Sequence, residues 1–489
     1  LPMRLLAVVP LLLLAAVCAR AESPRPRLLV LTDIGGDPDD MQSMRRLMLY
    51  ANEFEIAGLV ASASGTPGEL RREVTRPELI REIVRDYAAV RPNLARHAPG
   101  YPPAETLARL IHAGSSRRGI PNLGPGRGTP GSGHILAAAD ASPEPLHVVI
   151  WGGAHDLAQA LWDVRDRRSP EAAARFVSRL RVYAIADQDA WKGEPGTGQW
   201  IRENFPGLRY VESGPPGMHR FTALFRGMYQ NDSAGGGHPV LPLVSAGLMP
   251  LTQRDWVETN VREGHGPLGA GYPIVPHNPV SANNTSGVKE GDTPSWFFVL
   301  PNGLSDPEYP EYGGWGGRFR HDTGGHYIDA EDEHPSGSSD ASLRRKWTVA
   351  RWREAYENDF AARMDWCVAP RRQDANHNPE VVVNGQKGKQ ILRIAAATGQ
   401  TVALSAAGSS DPDGHRVAFR WFVYNEAGAY EHALELAGAT ASQVRFVAPK
   451  VIQPRDNPVS RPGESHPEPL SGRVEDWRRC SVGPAYPLA

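Results

Sequence analysis

Cysteine is scarce in this chain of 489 residues: Cys18, Cys367 and Cys480 are the whole set. With Cys18 near the extreme N-terminus, the two that remain can form at most one bridge, which excludes a disulfide scaffold. An excess of either charge is also missing. Lys and Arg total 53 against 55 Asp and Glu, a formal net charge of −2. No basic surplus points to nucleic acid, and no acidic tail points to a solvating arm. A long apolar run is absent as well. Residues 5–17 are apolar, but Pro10 interrupts them and the stretch is too short for a membrane span. Finally, no Gly-Lys-Ser/Thr follows Gly124-Pro125-Gly126-Arg127-Gly128, so a phosphate-cradling P-loop is excluded there.

What is present begins with an export pattern. Met3-Arg4 is a short positive region, residues 5–17 an apolar one, and Ala19-Arg20-Ala21 a small-residue cleavage pattern. Residues 1–21 are therefore expected to be a signal peptide, and the remainder secreted or periplasmic, with no membrane association after cleavage. Hydrophobic residues make up 40% and charged residues 22%, a globular composition, and the length exceeds one domain.

Residues 28–40 carry the most chemistry. An apolar run, Leu28-Leu29-Val30-Leu31, leads into Thr32-Asp33-Ile34-Gly35-Gly36-Asp37-Pro38-Asp39-Asp40. The run reads as a buried strand, and Met41, Met44 and Met48 behind it mark one face of a helix. Four carboxylates thus sit at a strand exit and a helix start, where ligand sites of open α/β sheets cluster. Crowded carboxylates are relieved by a hard cation that accepts many oxygens, and calcium is the natural candidate. The competing account makes Asp37 a helix N-cap with Asp39 and Asp40 in the first turn. It leaves Asp33 unexplained. An EF-hand is excluded, because Gly35 and Met44 fall where that loop needs ligands.

Strand and helix patterns alternate along the chain. Strands are expected at 28–32, 56–61, 146–151 and 180–185, and helices at 39–50, 76–90, 154–163 and 345–366. This alternation predicts an α/β domain with a mostly parallel sheet over residues 22–370. Residues 371–379 form a polar linker. Short alternating runs at 380–383, 390–397, 401–404, 418–424 and 443–447 predict a small all-β sandwich over 380–450. Residues 451–489 hold no alternating run and are expected to be a disordered or aberrant tail.

The segment Thr32-Asp33-Ile34-Gly35 with Asp39-Asp40 resembles the Asp-rich signature of nucleoside hydrolases. More of the chain is similar to the bacterial secreted cellulose-binding proteins that carry a nucleoside-hydrolase-like domain. The shared features are Thr32-Asp33 through Asp40, Trp151-Gly152-Gly153, Gln188-Asp189, Asn204-Phe205-Pro206, 289–295 (Lys-Glu-Gly-Asp-Thr-Pro-Ser) and 313–318 (Gly-Gly-Trp-Gly-Gly-Arg). Ser409-Ser410-Asp411-Pro412-Asp413-Gly414 with Trp421 resembles the turn and core Trp of immunoglobulin-like modules, and the same family carries such a C-terminal domain.

The resemblance implies an α/β fold of nucleoside-hydrolase type and a calcium-assisted cleavage of a glycosyl bond, N-glycosyl-like in type. A carbohydrate-binding protein, cellulose included, on the same scaffold is the alternative. Partners are then a small sugar-containing substrate or a polysaccharide; association into a homo-oligomer is left open. Asp33 stands for a metal ligand or general base, Asp39 for a sugar-contacting and catalytic carboxylate, and Asp40 for a bidentate ligand. Asp292 completes the metal set, with Glu290 as its rival. A main-chain ligand of the family falls at Gly152-Gly153-Ala154-His155-Asp156, which adds His155 to the metal set. Gln188, Asp189 and Trp315 are the further candidates for substrate contact. The family's usual leaving-group His is replaced by Gly291.

Overall fold

The computed structural model describes residues 25–450, except 37, 65–72, 191–193, 219, 230–243, 246, 275–286, 429 and 431. The expected signal peptide, Asp37 and the 451–489 tail lie outside the described residues.

The strands are β1 (Arg27–Thr32), β2 (Glu55–Ala61), β3 (Ile111–Ala113), β4 (Leu146–Ile150), β5 (Leu180–Ile185), β6 (Arg209–Ser213), β7 (Phe319–His321) and β8 (His326–Asp329). They form one sheet in the order β3-β2-β1-β4-β5-β6-β8-β7. Every pairing is parallel except β7 with β8. The helices between them are α1 (Asp39–Leu49), α2 (Pro77–His97), α3 (Ala104–Arg109), α4 (Pro130–Asp140), α5 (His155–Arg167), α6 (Pro170–Ser178) and α7 (Thr197–Asn204). The chain builds outward from β1 through β2 to β3, then returns to place β4 on the other flank of β1. That reversal opens a crevice at the carboxyl ends of β1 and β4, the place where such sheets bind ligands.

Burial explains which strands the sequence reveals. Every residue of β1 and β4 is buried, so both read as continuous apolar runs. Two hydrophobic cores cover the two faces of the sheet. One contains Leu28, Val30, Met44, Leu47 and Trp296; the other contains Leu29, Leu31, Val148, Leu157 and Leu161. Alternate residues of β1 therefore enter opposite cores, as the two-residue period of a strand requires.

Three short helices follow β6: α8 (Arg254–Val257), α9 (Gly266–Ala270) and α10 (Thr293–Phe297). The expected single helix at 345–366 is two, α11 (Ala341–Ala350) and α12 (Arg353–Trp366). They meet at Arg351 and Trp352, and the Trp352 ring packs 5.6 Å from Tyr424. Among the described residues no helix is long and apolar enough to cross a membrane.

The C-terminal part carries two small antiparallel sheets, β9 (Val382–Val383) with β10 (Gln386–Lys387), and β11 (Thr401–Ser405) with β12 (Gln443–Val447). The runs expected at 390–397 and 418–424 form no strand. The expected core ring is present. Trp421 is buried with Val402, Leu404 and Val444, and its Nε1 donates to the Ala441 carbonyl at 2.8 Å. This part is fused to the α/β domain rather than merely tethered by a linker. Tyr424 and Ala427 belong to the larger core of the α/β domain. Tyr424 donates to Asp332 at 2.6 Å, beneath the guanidinium of Arg351 at 4.3 Å. Lys389 pairs with Glu53 at 2.9 Å and Arg393 with Asp306 at 2.8 Å.

Candidate functional site

Asp33 leaves β1 at the crevice and is buried. The Ser64 hydroxyl, at the exit of β2, donates to its Oδ2. From the other flank Gly152 presses on it: a Cβ at Gly152 would lie 2.5 Å from the Asp33 side chain. The Gly-Gly pair after Trp151 is thus required by close approach, not by a turn. Asp40, in the first turn of α1, is buried and accepts from the Thr32 hydroxyl. Asp39, beside it, is partly exposed. Its Oδ2 lies 3.4 Å from the Tyr229 hydroxyl and 3.7 Å from Lys289 Nζ.

Asp292 arrives from far along the chain, just ahead of α10, and is buried. Oxygens of Asp39, Asp40 and Asp292 lie within 4.8 Å of one another. Asp39 and Asp40 lie in the first turn of α1, and the Asp292 side chain makes no capping bond to α10. The first-turn placement that the capping account expects for Asp39 and Asp40 is present, its cap residue Asp37 lies outside the described residues, and it leaves Asp33 and Asp292 unexplained. The donor set is oxygen only, which fits a hard cation such as calcium or magnesium and not a thiolate- or imidazole-seeking one. Asp33 stands at the same crevice but is not one of the three.

Glu290 is settled against as a ligand. It is fully buried and consumed by Arg46 at 2.6 Å, the Tyr272 hydroxyl at 2.6 Å and the Thr293 hydroxyl at 2.8 Å. His155 opens α5 and does not join the triad. Burial, with Arg127 adding to it, pushes its imidazole down to about 4, so the ring is neutral near pH 7. Neighbouring Asp156 accepts from the Ser115 amide at 3.0 Å and the Thr129 hydroxyl at 2.5 Å, bracing the loop after β3.

The sugar-contacting candidates are engaged elsewhere. Gln188 donates to the main-chain carbonyls of Trp151 and Ile185, the latter at 2.8 Å, and so ties β4 to β5. Asp189 caps α7, accepting from the Thr197 amide at 2.7 Å; burial pushes its carboxyl up to about 7, with Asp187 adding to the rise. Trp315 is 3% exposed, packed 5.3 Å from Phe297 and 6.1 Å from Tyr356. Its edge lines a cleft of about 500 Å³ at the junction with the C-terminal part, which none of Asp33, Asp39, Asp40 or Asp292 lines. Gln188 thus ties two strands together, Asp189 holds the start of α7, and Trp315 packs among aromatic rings. What sequence reasoning missed is the grip of Tyr229 and Lys289 on Asp39. Lys289 adjoins the motif that supplies Asp292; Tyr229 has no signal of its own.

Asp411, Asp413 and His415 form a second close group. Asp411 Oδ1 accepts from the amides of Asp413 at 2.9 Å and His415 at 3.2 Å, and Asp413 binds His377 at 2.9 Å. That group is a turn held by its own main chain.

An acid-lined crevice at the reversal of a mostly parallel sheet marks the ligand site of an open α/β domain. Comparison with known proteins makes this specific. Residues 27–319 match the family described as cellulose-binding Sde182, nucleoside hydrolase-like domain, and residues 401–465 match the cellulose-binding protein Sde0182, C-terminal domain. The chain belongs to this family. A solved nucleoside hydrolase-related hypothetical protein from Saccharophagus degradans, associated with carbohydrate metabolism, is 30% identical with a TM-score of 0.67. The match covers 87% of this chain and 92% of that one. An inosine-uridine preferring nucleoside hydrolase from Bacillus anthracis is 10% identical over 66% of this chain and 100% of its own, with a TM-score of 0.31. No curated protein matches the chain in sequence.

Proposed function

We propose that this chain is a secreted, metal-assisted hydrolase of a glycosyl bond, N-glycosyl-like in type, in a sugar-containing substrate. The observation that carries the reading is the approach of Asp39, Asp40 and Asp292 to within 4.8 Å at the crevice of the sheet. Calcium is the proposed cation, held by Asp40 and Asp292. When bound, such an ion lowers the pKa of a water and fixes its approach. The protein's own groups do the rest. Asp33, steadied by the Ser64 hydroxyl, takes the proton of the attacking water. Asp39, the most accessible of the three triad acids, orients sugar hydroxyls. The test is a hydrolysis screen of nucleosides and oligosaccharides with and without calcium. Calcium-dependent release of free sugar supports the reading. Calcium binding with no release across the panel moves the weight to the second reading.

That second reading is a non-catalytic carbohydrate binder, with polysaccharide as partner. One observation favours it. The family's leaving-group His position is Gly291, and a Cβ placed there would lie 2.9 Å from the Tyr229 hydroxyl. The space beside the triad is filled by a phenol where a proton donor of different reach is expected. Retention on insoluble cellulose with no turnover of any glycoside is the outcome that selects it.

A further inference from the structure

The stretch expected as a linker is pinned by two histidines. His97 ends α2 and His377 lies within residues 371–379; both are buried, at 2% and 3% exposure. His97 Nε2 lies 2.9 Å from the Ala369 carbonyl, and His97 Nδ1 lies 3.0 Å from His377 Nε2. His377 Nδ1 lies 2.9 Å from Asp413 Oδ1, in the Asp-rich turn of the C-terminal part. The other oxygen of Asp413 accepts from the His377 main-chain amide at 2.6 Å. From α12 the Trp366 ring covers both imidazoles, with centroids 5.6 Å from His97 and 5.2 Å from His377, at 8° and 27° to their planes. Its Nε1 donates to the Asn376 carbonyl at 2.8 Å. A row of three contacts thus runs from the α/β domain into the C-terminal part.

A carbonyl and a carboxylate only accept, so the ring nitrogen facing each must carry a proton. The gap between the two inner nitrogens needs a third proton, and two neutral imidazoles bring only two. We propose that the His97–His377 pair holds one shared extra proton and is a proton-operated joint between the two parts: three hydrogen bonds with that proton bound, two without it. The count is unchanged if the proton rests on Asp413 instead of a ring. A second extra proton would set two N–H groups face to face, so uptake stops at one. Strongly interacting sites of this kind titrate as a unit. The charged groups around the pair are Asp413, Arg372, whose guanidinium donates to the His97 carbonyl, and Asp374, which Arg371 holds at 2.7 Å. Burial pushes the His377 imidazole below its ordinary value; Asp413 opposes the fall, and Arg372 and His97 add to it. The proton is therefore taken up on the acid side of about pH 6.5. An imidazole held below its unfolded value contributes stability above about pH 6.5 and loses it as pH falls. Completion of the row in acid is thus set against global stability, and the protons on the rings are the direct readout.

The experiment is ¹⁵N NMR of the full chain with labelled histidine, for the parent, Asp413→Asn and His97→Gln, from about pH 4.5 to about pH 8.5. In the parent both rings should shift along one midpoint, with three of their four nitrogens protonated at the acid end and two at the alkaline end. In Asp413→Asn the side-chain amide can donate to His377 Nδ1 while its carbonyl accepts from the His377 amide. A neutral pair then completes the row, and the midpoint should fall by about one unit or more. In His97→Gln the coupling is gone, and His377 should titrate alone at a midpoint different from that of the pair. Two separate midpoints in the parent, or two protonated nitrogens at both ends of the range, overturn the shared proton. So does an Asp413→Asn midpoint equal to the parent's. If the Asn variant does not fold, His97→Gln decides: a His377 midpoint unchanged from the parent means the rings were never coupled. Parent spectra that change when EDTA is added would place a metal ion in the gap and overturn the proposal as well.

Discussion

Two groups of buried acids lie near each other and behave in opposite ways. Glu290 and Glu357 flank Arg46, with contacts of 2.6 and 2.8 Å, and all three side chains are wholly buried. The guanidinium also lies 3.8 Å over the Phe360 ring. Here the fold supplies its own cation, between the acids, and the Tyr272 and Thr293 hydroxyls donate to Glu290. In the triad of Asp39, Asp40 and Asp292 the acids converge at the crevice, and Lys289 meets Asp39 at 3.7 Å. Thr32 and Tyr229 hydroxyls supplement Lys289 but bring no charge. Acids closed around a buried guanidinium are architecture, and acids that converge at a crevice are placed for a ligand. Glu290 and Asp292, two residues apart in one motif, fall on opposite sides of that line.

The largest effect should come from breaking the group around Arg46. Arg46→Met leaves two carboxylates buried without their cation, and losing one partner of a buried ion pair costs about 3–5 kcal/mol. Chemical denaturation should show that loss with or without calcium. A change under about 1 kcal/mol would mean the network contributes little.

Next in size is Asp33→Asn. Removing a general base lowers turnover by about 10²–10⁴-fold. Glycoside turnover under saturating calcium measures it, and the calcium-induced shift in Tm should survive because Asp33 lies outside the triad. Loss of both together would make Asp33 a ligand instead. For Asp40→Asn the expected pattern is the reverse. Calcium at a hundredfold excess over Kd should stabilise the parent by about 2.7 kcal/mol, and this variant should lose the rise in thermal scans. A parent protein that shows no calcium response breaks the contrast between the two acid groups.

The smallest effect concerns acids satisfied by main-chain amides. Asp329 accepts from the amides of Leu224 at 3.0 Å and Gly214 at 3.3 Å. Burial pushes its carboxyl up to about 7, and burial likewise pushes Asp156 up to about 6. A raised folded-state pKa means these groups stabilise fully below their unfolded value, roughly 4. That contribution is lost as pH rises through about 6 for Asp156 and about 7 for Asp329. Asp329→Asn should therefore flatten the fall in stability between about pH 5 and about pH 8. Equal slopes for parent and variant, in denaturant midpoints, would contradict the assignment.

The centre of the sheet was legible because β1, β2, β4 and β5 are apolar runs of five to seven residues. The two edges were not. β3 and β7 have three residues each, and two of the three in β7 are exposed, so neither carries a period to detect. In the site, Asp39 and Asp40 were visible from local spacing, and Asp292 from its motif. Their partners were not. Tyr229 meets Asp39 across 190 positions and Gln42 meets Lys289 across 247, contacts that only the packed chain creates. Trp315 misled for a related reason. A glycine-rich surrounding reads as exposed loop, yet its ring lies in an aromatic core that α10 and α12 assemble.

The joint at Tyr424 bears on how this chain would meet a solid. Because that phenol is buried beneath Arg351 and bonded to Asp332, the C-terminal part cannot swing as a flexible leash would. Two sites on a leash gain from each other over a wide range of spacings; two sites on one stiff body gain only where the geometry fits. If the C-terminal part grips a polysaccharide fibre, the crevice meets that surface at one fixed angle. Attachment would then either raise the local substrate concentration sharply or contribute nothing at all.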